Sequence, residues 1–197
     1  MADRQRPMNA LLLAIDRLSS VVGKTIGWVI LLLTALISYE VFSRYALGRA
    51  HPWATDVQLM LYGTLFMLGG AYTLSTQGHV RGDIIYGFLP PRGQASIDLA
   101  LYLLFFFPGV AALAWAGYTF AADAWSIAEH SSITSDGPPL APFKTVLPLA
   151  GALLLLQGFA EVVRCLSCLV DGDWPARGAD VQEVDVGKLR RMVGGGQ

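Results

Sequence analysis

Charge is scarce in this sequence. Only 15% of its residues are Asp, Glu, Lys or Arg, where soluble domains carry about 25%, and those charges gather between long neutral stretches. Cys165 and Cys168 are the only cysteines, which excludes a disulfide framework. The histidines are His51, His79 and His130. All three fall at or beyond the ends of apolar runs, so none is placed to ligate haem inside a helical bundle. A basic excess is missing too: the net charge is −1, which gives no face for nucleic acid. The first apolar run lacks a small-residue cleavage site and ends in Glu40 and Arg44, so it reads as a retained span and not as a removed signal.

What is present is apolar. Hydrophobic residues make up 54% of the chain and the mean hydropathy is +0.49, the composition of an integral membrane protein. A helix rising about 1.5 Å per residue needs about 20 residues to cross a hydrocarbon core of about 30 Å. Four segments reach that length, residues 24–44, 57–76, 97–120 and 143–164. The third is the plainest, with no formal charge from Leu99 to Ala122. Pro108 and Pro148 are expected to kink their helices, which membrane helices tolerate when neighbours satisfy the freed carbonyl.

The expected fold class is therefore an all-α integral membrane protein with four transmembrane helices. Its organisation would be a cytoplasmic N-terminus with an interfacial helix (1–23), a membrane domain (24–168) and a flexible cytoplasmic tail (169–197). Eleven Lys and Arg residues fall on one side of such a layout, in the N-terminus, the second loop and the tail. Arg44, Arg49 and Lys144 fall on the other. That asymmetry predicts both termini in the cytoplasm. In residues 8–23, Leu11, Ile15, Leu18 and Val22 share one helical face while Asp16, Arg17 and Ser20 lie elsewhere. The spacing suits an amphipathic helix in the membrane interface, and the plainer alternative is an extension of the first span.

Few residues offer chemistry. The pair in "CLSC" could be a redox centre if a thiolate were stabilised and exposed. It sits at the inner end of the fourth span, however, where cysteine also serves as a small hydrophobe. Glu40 with Arg44, and Glu161 with Arg164, are spaced to pair on single helices near the two interfaces. An ion carrier would instead need acids deep in a span, and the four midpoints carry no charge. Trp53 and Asp56 suit anchoring at the start of the second span. Gly63, Gly69, Gly70 and Ala71, with Gly151, Ala152 and Gly158, allow helices to approach closely. The aromatics Tyr102, Phe105, Phe106, Phe107 and Trp115 read as lipid contacts. After the second span, Gly78 can cap the helix. His79 and Arg81 would then sit among headgroups, and Asp83 would fix the turn by hydrogen bonds.

The ordered set "YEVFSRY", "WATD", "GHVRGDIIY" and "PPLAPFKTVLPLAGALLLLQGFAEVVR" resembles DctQ, the small membrane subunit of tripartite ATP-independent periplasmic (TRAP) transporters, over residues 10–168. Glu40, Arg44 and Tyr45 fit one motif of that family. Trp53 and Asp56 fit a second, in which the acid is more often Glu. Gly78, His79, Val80, Arg81 and Asp83 fit a third, with Gly82 at a position more often bulky. Pro142, Phe143, Lys144, Pro148, Gln157, Glu161 and Arg164 fit the final-span pattern.

The resemblance implies a non-catalytic subunit without cofactor or metal, in a bacterial inner membrane. Its partners would be a DctM-like large membrane subunit, a DctP-like periplasmic substrate-binding protein and the lipid bilayer. The complex would take up organic acids with sodium by an elevator-type motion, and 2-oxo acids or other monocarboxylates are the substrates suggested by the second-span run. The small subunit would brace the large one and help to dock the binding protein. Glu40, Arg44, Tyr45, Trp53, Asp56, Gly78, His79, Arg81, Asp83, Lys144, Pro148, Glu161 and Arg164 would then have structural or subunit-contact roles.

Two other classes compete: a membrane oxidoreductase using Cys165 and Cys168 or a quinone, and a stand-alone four-span scaffold. Replacing both cysteines by serine separates the first from a transporter subunit. An uptake assay should be unchanged in a transporter subunit, whereas an oxidoreductase would lose its activity.

Overall fold

In hydrocarbon, a backbone that cannot reach water must bond to itself, and a continuous helix does so within one segment. The computed structural model describes residues 2–76, 89–134 and 137–175, with the backbone alone for residues 2–7. Its elements are α1 (Ala2–Gly27), α2 (Val29–Ala46), α3 (Pro52–Ser75), α4 (Pro91–Leu101), a π-helical turn (Tyr102–Phe106), α5 (Phe107–Ser126) and α6 (Ala141–Asp171). Joined where they abut, they give four helices long and apolar enough to cross a membrane: Met8–Ala46, Pro52–Ser75, Pro91–Ser126 and Ala141–Asp171. No strand occurs among the described residues, only an isolated bridge between His130 and Pro139.

The helices overrun the apolar windows because local signals, and not hydrophobicity, set their ends. α4 begins with Pro91 at its first position, where a missing N–H costs nothing. α6 ends at Gly172, whose φ of 87° supplies the left-handed cap. α1 and α2 meet at Trp28, which keeps helical dihedrals of −67° and −19°. The junction is a tightened turn, with Trp28 N–H on the Thr25 carbonyl and Leu31 N–H on the Trp28 carbonyl.

Proline acts differently in its two settings. Pro108 lacks an N–H and would crowd the carbonyl four residues back. The chain answers with a wider turn, in which Phe107 N–H bonds Tyr102 O, five residues back. Pro148 sits inside the unbroken α6.

The spans form a row. α2 packs on α3, α3 on α6, and α6 on α5, while α1 lies against both α3 and α6 and α4 lies against α6. Among the described residues α2 and α5, the two edges, do not pack on each other. Helix α6 is thus an inner member of the row, and α1 forms a three-helix contact with α3 and α6 along part of it. Phe105 and Trp115 are exposed on the edge helix, while Phe106 turns inward, edge-on to Tyr102 at 5.3 Å.

Two glycines of α6 make the α5 contact possible. A Cβ on Gly151 would lie 2.8 Å from Ala114 Cβ and 3.0 Å from its Cα, and one on Gly158 would overlap the Phe106 ring. Such near contact of backbones is what small residues give membrane helices. Not every candidate is used this way: Gly69 has open space beside it and Ala152 is exposed. Gly151→Leu should therefore lower the thermal unfolding midpoint in detergent, by an overpacking cost of about 1–3 kcal/mol or more. Ala152→Leu, one residue away on the open side, should leave it unchanged in the same circular-dichroism melt.

Candidate functional site

Polar side chains collect at the two ends of the row. At one end, α2 stops and Gly48, with φ 67°, turns the chain back. Arg49 N–H returns to the Ser43 carbonyl at 3.0 Å, and Ser43 Oγ donates to the Arg49 carbonyl at 2.9 Å. This places His51 over the buried Glu40. Its backbone N–H donates to Glu40 Oε1 at 3.2 Å, and its ring Nδ1 lies 3.3 Å from Oε2. Arg44 donates to Oε1 at 2.8 Å while remaining half exposed. One carboxylate thus joins the last turn of α2 to the start of α3. The rings of Tyr39 and Trp53 flank His51 at 5.5 and 6.1 Å, and Tyr45 is exposed.

Asp56 does more than complement a helix dipole. It is buried, and its two oxygens accept hydrogen bonds from Ser131 Oγ at 2.8 Å and Thr134 Oγ1 at 2.5 Å. Both donors belong to the loop between α5 and α6, so the carboxylate clamps that loop to α3. Lys144, at the head of α6, grips the same loop through Glu129 and lies 3.7 Å from the centre of the Phe120 ring. The loop is closed on itself by Ser131 N–H to Pro138 O and Leu140 N–H to Glu129 O. Its entry uses Ala128 at φ 48°, with Glu129 N–H on the Ala124 carbonyl, a helix end that glycine usually occupies.

The other end is held by a buried network between α1 and α6. Arg164 donates to Glu161 Oε1 and to Asp16 Oδ2, each at 2.6 Å. Gln157 donates from Nε2 to Asp16 Oδ1 at 2.9 Å and accepts from Ser19 Oγ at 2.8 Å. Arg164 and Gln157 are both fully buried. The stripe of apolar residues on α1 is accordingly divided. Ile15 and Leu12 turn inward beside Asp16 and Ser19, and Leu11 and Leu18 turn outward. In lipid, the polar residues are the ones that must find protein partners.

Of the candidate residues, Glu40, Arg44, Asp56, Lys144, Glu161 and Arg164 enter these clusters, and Pro148 packs against Gly117. Gly78, His79, Arg81 and Asp83 lie outside the described residues. Asp16, Ser19, His51, Glu129, Ser131 and Thr134 are partners that were not singled out as sites. The available signal is chemical: an Asp next to apolar residues of a helix, such as Asp16 beside Ile15, and a lone amide in an apolar helix each require a partner. Cys165 and Cys168 are buried and form no disulfide, packed with Ala95 beneath α4. Among the described residues no group of three His, Cys, Asp or Glu could hold a metal ion.

The Arg164 network predicts unequal mutational costs. Arg164→Ala breaks a buried ion pair and should cost about 3–5 kcal/mol. Ser19→Ala removes one neutral hydrogen bond and should cost about 1 kcal/mol. Denaturant unfolding in detergent, followed by circular dichroism, measures both.

Residues 12–168 match the family model described as Tripartite ATP-independent periplasmic transporters, DctQ component. A search of curated proteins found no match. The matched region runs from the buried face of α1 through Cys168 and takes in all four apolar helices and both polar clusters. This chain belongs to the DctQ family, the non-catalytic small membrane subunit of TRAP transporters, which work as tripartite complexes with a large membrane subunit and a binding protein.

Proposed function

We propose that this chain is a fixed brace for the large subunit of a sodium-coupled organic-acid carrier in a bacterial inner membrane. We also assign its Glu40–Asp56 end to the surface on which the periplasmic binding protein docks. The observation that carries this reading is the single row of helices. A row buries little of its own apolar surface and offers two broad faces, one suited to a membrane partner and the other to lipid. The buried ionisable groups among the described residues sit toward the ends of the row and are partnered. The polar atoms nearest the middle, those of Gln157, are taken up by Asp16 and Ser19, so a substrate route is better sought in the partner. An elevator-type carrier needs one part to stay anchored while another moves, and a row locked at both ends can serve as that part.

The docking role draws on the clamped loop. With both termini in the cytoplasm, the 47–51 and 127–140 segments would face the periplasm. Asp56, Lys144 and Glu129 give the described part of the second segment a fixed shape without help from a partner. A preformed loop loses less freedom on binding than a mobile one.

Co-expression with the large subunit, purification through a tag on this chain, and uptake by reconstituted vesicles test the reading. A stoichiometric complex is expected. Glu40→Ala should weaken it about tenfold, equivalent to about 1.4 kcal/mol. Asp56→Ala should leave the complex intact while lowering uptake that depends on the binding protein. A chain that purifies alone in the presence of its large subunit overturns the brace, and unchanged uptake in Asp56→Ala overturns the docking role.

A further inference from the structure

A groove of about 560 Å³ runs between α1 and the end of α3, and Asp16 is the residue it shares with the buried network of Arg164 and Gln157. Arg17 and Lys24 stand on its rim. They are two helical turns apart, about 10.5 Å along the axis, and therefore share one face of α1. Both are exposed, and neither makes an ion pair or side-chain hydrogen bond among the described residues. Ser20 lies between them, half-buried, with its hydroxyl likewise unengaged.

The sign of the groove follows from where Asp16, the acid among its described lining residues, points. Asp16 contributes to the lining, yet it is buried and its two oxygens are bound to Gln157 and Arg164. The charge left facing outward is positive. The rest of the lining includes Leu13 and Val21, and the neighbouring Leu11 and Leu18 are exposed. Two exposed cations that make no ion pair among the described residues, beside an apolar wall and on a helix that leads directly into a membrane span, match an anionic phosphodiester joined to acyl chains. A free anion would make no use of the apolar part.

We propose that this groove binds one glycerophospholipid with a net negative headgroup. Its phosphodiester lies between Arg17 and Lys24, and its first acyl methylenes lie on Leu13 and Val21. The site is independent of the brace reading, because it needs no other subunit.

The test is native mass spectrometry of the full chain in mild detergent, titrated with phosphatidylglycerol or with phosphatidylcholine of the same acyl chains. Retention of one phosphatidylglycerol is expected at concentrations where phosphatidylcholine is not held. R17Q/K24Q should weaken that retention at least about tenfold, R17K/K24R should keep it, and R49Q, outside the groove, should not change it. Because both side chains are exposed, the substitutions leave the packing of the described residues intact, and the comparison of the two lipids needs no variant at all. Equal retention of both lipids, undiminished retention in R17Q/K24Q, or full displacement by inorganic phosphate at equal concentration would each overturn the assignment.

Discussion

A guanidinium removed from water keeps its charge only while its acceptors stay in place, and separating them costs several kcal/mol. Arg164 is in that position, held by Asp16 from one helix and Glu161 from its own. Helix α1 therefore cannot slide along α6 without stranding a charge. Gln157, two turns away, fixes the same register a second time by donating to Asp16 and accepting from Ser19. Since α6 also carries the contacts to α3, α4 and α5, the rest of the row is positioned against a helix whose own place is set by these few polar bonds.

The chemistry of α6 is divided along its length to serve each neighbour. Lys144 at its head reaches the loop, Gly151 and Gly158 admit α5 and Phe106, and Gln157 to Arg164 bind α1. Apolar packing alone would hold such helices only loosely, because lipid tails compete for the same surface on nearly equal terms. Close glycine contacts and buried hydrogen bonds are the two interactions for which lipid offers no substitute. The structure places them in the helix with the most neighbours.

The four spans were readable as neutral runs, since hydrocarbon excludes charge without reference to anything else in the chain. The Glu40–Arg44 and Glu161–Arg164 pairs were readable because three- and four-residue spacing is a local property of a helix. The bonds from Ser19 and Asp16 to α6 were not, because their partners lie well over a hundred residues away in sequence. Asp56 showed the same limit: its place at a helix start was visible, but Ser131 and Thr134 were not visible as its donors. The order of helices in the row was also hidden. A stretch apolar on all sides, such as Leu99 to Ala122, carries no stripe to say which side meets protein. Its π-turn had a legible cause in Pro108, but the sequence could as well have given a simple kink.

The arrangement of the row has a consequence for synthesis. In space α5 neighbours α6, yet in the chain it is made first. As spans enter the bilayer from the N-terminus, the first two can pair through α2 and α3 at once. The third then enters with no protein surface to receive it, and its uncharged, aromatic length lets it wait in lipid at little cost. When α6 arrives, Asp16 and Ser19 meet Arg164 and Gln157, and Ala114 and Phe106 meet Gly151 and Gly158. Everything before the last span is thus a set of parts, and the final helix completes assembly by fitting between helices already present.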